Sequence, residues 1–126
     1  MAHIATLCHD EQVRLDSSKL QALYSQLGAA GAENVICRAM EELAVRLSDL
    51  APLHRAGRHG ELAKMSHSLV GIADQVGMAT LAQVSSDVCD CASQQDPVAI
   101  AATLCRLERI GDKSLTAIWD MRDLSI

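Results

Sequence analysis

Aromatic side chains are almost absent from this chain of 126 residues, which has no phenylalanine and only Tyr24 and Trp119. Because 49% of the residues are nonetheless apolar, a core has to be built from Leu, Ala, Val, Ile and Met. Only two prolines and seven glycines interrupt this aliphatic composition, which favours helices over sheets. At this length, one core can bury most of the apolar surface. We therefore expect a single all-α domain.

Three further absences narrow the possible functions. No run approaches the roughly 18 apolar residues that a membrane span requires. The first residues also lack the basic flank and the sustained apolar segment of a secretory signal. A formal net charge of −5 argues against nucleic acid as the main partner. The sequence thus predicts a cytoplasmic protein that binds neither membranes nor nucleic acid.

The five cysteines do not form the pattern of a disulfide framework, because they are scattered and odd in number. Cys89 and Cys91 are two residues apart on a predicted helix and project to different sides, so a disulfide between them has poor geometry. No second cysteine pair or helical His/Cys pair completes a metal site with them. We expect buried free thiols that act as small apolar residues, and no metal.

The N-terminal part of the chain is predicted to form an arm and a short helix. Residues 1–12 show no clear hydrophobic period and are interpreted as a loose arm, followed by one domain over residues 13–126. Asp16 offers an N-cap for a short leading helix that ends at Gly28. The segment 28–31, with a glycine at each end, is predicted to be a break.

Two longer amphipathic helices are predicted in the middle of the chain. The first begins at about Ala32 and should kink or end at Pro52, because proline lacks an amide proton and crowds the preceding turn. The second runs over about residues 60–76. Gly77 follows it, in the position where a left-handed cap residue is common.

Two further helices complete the predicted fold. One starts directly after Gly77, and the last starts at Asp96-Pro97, where the N-cap and first helical residues are in the favoured order. An interruption of the last helix is expected near Gly111. Four amphipathic helices joined by short turns make an antiparallel up-down four-helix bundle the economical arrangement, with the short additional N-terminal helix covering one end.

The helix over residues 60–76 carries His67 on the side opposite to its apolar stripe. At about 100° per residue, His67 projects roughly 170° from the middle of that stripe. Gly71 lies four residues on, on the same outer face, although a glycine inside a helix costs about 0.5–1 kcal/mol relative to alanine. Periodicity alone also allows an ordinary solvated histidine. The apolar stripe consists of Leu62, Met65, Leu69, Ile72, Ala73 and Val76.

The residues around His67 resemble the motif of the histidine-containing phosphotransfer (HPt) domain family. That motif reads approximately His-x-Leu-Lys-Gly, five variable residues, Gly, three variable residues, Leu. The resemblance extends over roughly residues 13–123 and includes a glycine-containing turn before the site helix. The matching positions of this chain are His67, Leu69, Gly71, Gly77 and Leu81.

This resemblance implies a phosphorelay function. In such domains an exposed histidine accepts a phosphoryl group from the aspartyl phosphate of a response-regulator receiver domain and passes it to a second receiver. His67 would be the phosphoacceptor. The chain would act as a monomeric carrier without a cofactor, because the family leaves Mg²⁺ and the acidic pocket to the receiver. The absence of a nucleotide-binding motif agrees with that division.

One position departs from the family motif. Val70 stands where the family usually has a lysine, which would place a cation near the phosphoryl group. Lys64, three residues before His67, could supply that charge from the preceding turn, or it could be an ordinary surface lysine. Gly71, Ser68 and Val70 are predicted to provide clearance and docking, although Val70 could equally extend the buried stripe.

Two rival interpretations remain open at the level of the sequence. A degenerate HPt-like bundle would bind receiver domains or another protein partner without carrying phosphate, and the missing lysine favours it. An unrelated helical adaptor would leave His67 without a role. An enzyme acting alone is disfavoured, because no set of nucleophile, base and oxyanion donors is visible.

Overall fold

The computed structural model describes residues 11–124, with side chains as far as Asp120. The regular structure of these residues is all α-helical, as expected, and no β-strand occurs among them. The predicted N-terminal arm lies outside the described residues as far as residue 10. None of the described helices is long and apolar enough to cross a membrane. The helices are α1 (Ser17–Arg55), α2 (His59–Gln75), α3 (Ala79–Gln94) and α4 (Pro97–Leu124).

Each helix contacts two others, since α1 packs against α2 and α4, and α3 packs against α2 and α4. The core between them is aliphatic, as the composition predicts, and each fully buried large side chain contributes about 1.5–3 kcal/mol. Both aromatic residues lie at its margin: Tyr24 is half-buried and Trp119 is 50% exposed. The largest fully buried side chains are Ile36, Leu43, Leu50, Leu62, Leu69, Val76, Met78, Leu81, Ile100, Leu107, Ile110 and Ile118.

Helix α1 differs from the prediction in two places. The expected four-residue break is confined to Gly28, whose backbone is non-helical (φ 73°, ψ 172°), because the alanines that follow are strong helix formers and resume the helix at once. Of the two outcomes predicted at Pro52, a kink or an end of the helix, the end is wrong. The proline carbonyl still accepts the amide of Ala56 at 3.0 Å, so the last turn closes and the helix continues to Arg55.

The turn between α2 and α3 is tied to the segment that precedes α1. Gly77 adopts the predicted left-handed conformation, with φ of 75°. Its carbonyl accepts the amide of Asp16 at 2.6 Å, and Leu15 forms an isolated antiparallel bridge with Met78. Asp16 also caps α1, because its carboxylate accepts the amide of Ser18 at 3.0 Å. One short extended segment therefore fixes both the start of α1 and the α2–α3 turn.

Alanine substitutions at Gly77 and Gly57 distinguish the cost of backbone strain from the cost of a steric clash. Both have positive φ, but a Cβ on Gly77 would lie 2.7 Å from the backbone oxygen of Asp16, whereas a Cβ on Gly57 meets nothing within 4 Å. We expect Gly57→Ala to lower the free energy of unfolding by about 1 kcal/mol through strain alone. Gly77→Ala should cost roughly 2 kcal/mol more, because the extended segment must move. Urea unfolding followed by circular dichroism measures the free energy of unfolding of both variants. Equal losses in the two would contradict the close approach of Gly77 to the backbone of Asp16.

Helix α4 begins as predicted but is not interrupted. The carboxylate of Asp96 accepts the amides of Val98 and Ala99 at 3.1 and 3.2 Å, which confirms the N-cap before Pro97. The expected interruption near Gly111 is wrong, since the helix continues through it. A Cβ on Gly111 would lie 2.8 Å from Cδ1 of Leu47, so this glycine serves the close approach of α1 and α4.

Charged contacts hold the beginning of the described chain against α4. The carboxylate of Glu11 accepts the Nε proton of Arg106 at 2.8 Å, and the Glu11 carbonyl accepts from Lys113 Nζ at 2.6 Å. The hydrogen bond from Arg106 lowers the pKa of the Glu11 carboxyl below its usual value. Asp87 of α3 lies 3.6 Å from the same guanidinium. These contacts connect the segment before α1 with two other helices.

Four of the cysteines fall within the described residues, and no disulfide joins them. Cys37, Cys89 and Cys91 are half-buried, and Cys105 is exposed. These four thiols are free, as expected, but the expectation that they are buried is wrong. Helical periodicity places Cys105 one position past the buried Leu104, so it points outward.

Candidate functional site

Helix α2 presents His67 to solvent at mid-helix. Leu62, Leu69 and Ala73 are completely buried on its inner side, while His67 and Gly71 are exposed. The orientation predicted from periodicity is therefore confirmed. Among the described residues, no hydrogen bond or ion pair engages the His67 imidazole. The ring is thus exposed, and no polar contact within the described part of the chain holds it.

Gly71 has no role in the internal packing of the described residues. A Cβ built at this position meets nothing within 4 Å, in contrast to Gly77 and Gly111, where one would collide with neighbouring atoms. Its backbone is helical, so no positive φ requires glycine either. An alanine would fit and would favour the helix by about 0.5–1 kcal/mol. The only consequence of glycine visible here is open space above the helix, one turn from His67.

Lys64 lies one turn before His67 on the same exposed side of α2. Positions three apart on a helix have Cβ atoms about 5–6 Å from each other, which brings the ammonium group within reach of a phosphoryl group on the imidazole. In the described part of the chain, Lys64 has no ion-pair or hydrogen-bond partner. Its charge is therefore uncompensated and available to an arriving anion.

Val70 is half-buried and packs against the hydrophobic core. Of the two alternatives for this residue, the geometry favours the extension of the buried stripe. The side of His67 that faces Val70 consequently offers no cation. Lys64 is an exposed cation on the opposite side of His67.

The Ser68 hydroxyl is engaged within the chain. It donates to the carbonyl of Met65 at 2.6 Å and accepts from Nη1 of Arg46, on α1, at 2.8 Å. Sequence reasoning missed Arg46, because the residue lies 22 positions before Ser68. A signal was present: Arg46 projects roughly 65° from the middle of the α1 stripe of Leu43, Leu47 and Leu50, at its margin.

A groove with a volume of about 680 Å³ runs between α1 and α2, beside the hydrogen bond from Arg46 to Ser68. Pro52, Leu53 and Met65 contribute apolar lining, Arg46 and Lys64 contribute cations, and Asp49 contributes a carboxylate. Arg58 and Glu61 also border the groove but pair with each other. No carboxylate among the described side chains lies within ion-pair distance of Arg46 or Lys64. Arg46 and Lys64 are therefore cations of the groove whose charge no ion pair within the described side chains neutralises.

Comparisons with protein-family models, with curated proteins and with solved structures find no match for this chain. The features of the chain that bear on its function are the exposed imidazole of His67, the open position at Gly71, and Arg46 and Lys64, which have no ion-pair partner among the described side chains.

Proposed function

We propose that this chain is a histidine phosphotransfer protein of the HPt type, in which His67 carries a phosphoryl group between receiver domains. The observation that carries the proposal is the exposed, unengaged imidazole of His67 with the open space at Gly71 one turn away. A glycine that no internal contact requires is explained if a bulky partner must approach the helix at that point. The spacing to Gly77 and Leu81 agrees with the motif of the family.

In this reaction the carrier has to supply only an accessible nucleophile. A neutral imidazole is a competent nucleophile near pH 7. Its nitrogen attacks the phosphorus of the receiver's aspartyl phosphate, the bond from phosphorus to the aspartyl oxygen breaks, and the carboxylate leaves. The phosphorylated ring then loses its remaining N–H proton to water, and the reverse steps deliver the group to a second receiver. Mg²⁺ belongs to the receiver, so this chain acts as a carrier and not as an enzyme on its own.

The proposal also includes the arrangement of the helices, the cellular location and the partners. Connections of two or three residues, 56–58, 76–78 and 95–96, join helices that contact each other in sequence order, which supports an antiparallel up-down four-helix bundle. In that arrangement the helical segment before Gly28 is the short additional N-terminal helix. The protein is taken to be a cytoplasmic monomer, and its partners are receiver domains, such as the receiver of a hybrid histidine kinase.

The test of this proposal is a transfer assay with the receivers of the same organism. Each receiver is phosphorylated with a labelled small phosphodonor, freed of that donor and mixed with the protein. We expect at least one receiver to transfer label to the protein in a form that is labile in acid and stable in alkali, as phosphohistidine is. If no receiver of the organism transfers label, the proposal is wrong.

Lys64 is expected to assist the transfer step. An uncompensated cation about one turn from the imidazole attracts the phosphoryl oxygens, and its loss should slow transfer about tenfold, since each ~1.4 kcal/mol of lost stabilisation is tenfold in rate. Lys64→Ala should therefore lower the single-turnover rate at saturating receiver without changing receiver affinity. Lys64→Arg, which retains the charge, is the control. Equal rates for Lys64→Ala and the wild type would show that Lys64 is an ordinary surface lysine.

A second candidate function is supported by Val70. Its side chain packs against the core where the family motif has a lysine, which is expected in a degenerate bundle that binds receivers but never carries phosphate. In that case a phosphorylated receiver binds the protein without labelling it. Lys64 and the exposed His67 favour the carrier, because a pure binding module requires neither of them.

A further inference from the structure

The Arg46 side chain is fixed in position at the surface of the groove. It extends from α1 to α2 and donates to Ser68 Oγ at 2.8 Å, and that hydroxyl is itself held by the Met65 carbonyl at 2.6 Å. A guanidinium has five N–H donors, so this contact leaves most of them available. A side chain that is already ordered loses less conformational freedom on binding than a freely moving one. Arg46 is therefore a preorganised cation.

The charges along the groove are arranged asymmetrically. The part of the groove next to α2 is lined by the cations Arg46 and Lys64 and by one carboxylate, Asp49, besides the pair of Arg58 and Glu61. The continuation of the groove along α1 is lined again by Arg46 and Asp49 and in addition by Glu41 and Glu42, so carboxylates outnumber cations there. A partner segment with an acidic end and a basic end is therefore favoured in one direction. The net charge of the chain is −5, so a cationic end beside His67 is a local exception.

We propose that Arg46 is a specificity-determining residue for the receiver and binds an acidic side chain at the rim of the receiver's phosphorylation site. This inference rests on the proposed function. The occupant of the groove is the receiver itself, with its acidic side toward Arg46 and a basic side toward Glu41 and Glu42. Complementary charges of this kind set the orientation and the rate of encounter more than the chemistry that follows.

Arg46 and Lys64 thereby have different roles. Lys64 is one helical turn from His67 on the same helix, and no hydrogen bond or ion pair among the described residues holds its side chain, so it acts on the phosphoryl group. Arg46 is anchored to Ser68 on the side of α2 toward α1, so it acts on the partner. Loss of Lys64 should lower the transfer rate at saturation, while loss of Arg46 should raise the concentration of receiver that gives half-saturation. The two kinetic constants distinguish the two roles.

The experiment uses the full chain and the receiver that labels it fastest in the transfer assay. Single-turnover rates are measured against receiver concentration for Arg46→Ala, Arg46→Glu and Ser68→Ala. Arg38→Ala is the matched control, because Arg38 is an exposed arginine of the same helix that does not line the groove. Thermal unfolding of each variant shows whether the fold persists.

Arg46→Ala should raise the half-saturating receiver concentration about tenfold with an unchanged rate at saturation, and Arg46→Glu should raise it further. Ser68→Ala keeps the charge of Arg46 but removes the hydrogen bond that holds its guanidinium. It should raise the half-saturating receiver concentration about threefold. The dependence on ionic strength should weaken in Arg46→Ala. Unchanged half-saturation in Arg46→Glu, or a loss matched by Arg38→Ala, overturns the inference while the carrier function stands. Failure of every receiver to label the wild type overturns both.

Discussion

His67→Gln is expected to accept no phosphoryl group from any receiver that labels the wild-type protein. Glutamine resembles histidine in size and polarity, but its amide nitrogen is not nucleophilic, so no bond to phosphorus forms. The fold should be unaffected, because the imidazole is exposed and makes no hydrogen bond or ion pair with the described residues that a replacement would break. The loss of label should therefore be complete, with thermal unfolding unchanged within about 0.5 kcal/mol.

The control for this variant is His59→Gln. His59 lies on the same helix, at its beginning, and is half-buried, so it tests whether any histidine of α2 can accept the group. We expect normal labelling of His59→Gln. Label that persists in His67→Gln would show that another residue carries the phosphoryl group, and the site would have to be sought elsewhere.

Substitutions of Gly71 are expected to separate stability from function. Gly71→Ala should raise the free energy of unfolding by about 0.5–1 kcal/mol, because alanine favours the helix and its Cβ has open space. The same methyl group should slow transfer, and the branched side chain of Gly71→Leu should slow it on the order of a hundredfold, the cost of displacing reacting groups by about 1 Å. A variant that is more stable and less active indicates that the glycine serves an intermolecular contact.

Two controls make the Gly71 result specific. Gly60→Ala changes another open glycine on the same helix, seven positions before His67, and should leave transfer near the wild-type rate. Phosphoramidate, a small donor, should label His67 in Gly71→Leu as fast as in the wild type, because it needs no room for a receiver domain. Here the imidazole nitrogen displaces ammonia at phosphorus. Transfer from the receiver at the wild-type rate in Gly71→Leu would contradict the role of clearance.

Features that depend on local sequence could be predicted from the chain. The outward direction of His67 follows from the 3.6-residue period of its own helix, which the buried Leu62 and Leu69 confirm. The left-handed Gly77 and the Asp96 cap follow from the conformational preferences of single residues. Each of these arguments needs only residues within a few positions of each other.

Features that depend on the approach of distant segments could not be predicted in this way. Gly111 resembles a helix interruption until Leu47 is seen against it, and Ser68 resembles a free docking residue until Arg46 is seen to bond it. A glycine or a serine permits several uses, and the helix packed beside it decides which one is realised. Arg46 entered the site only through that packing.

The most direct test of His67 as the phosphoacceptor is the location of the phosphoryl group after transfer from a receiver. The protein is labelled by its fastest receiver, digested under neutral or alkaline conditions that preserve phosphohistidine, and the peptides are analysed by mass spectrometry. We predict one phosphoryl group, on the His67 imidazole of the peptide from α2. Brief exposure to acid should remove it. A phosphoryl group on any other residue, or an acid-stable one, would contradict this prediction.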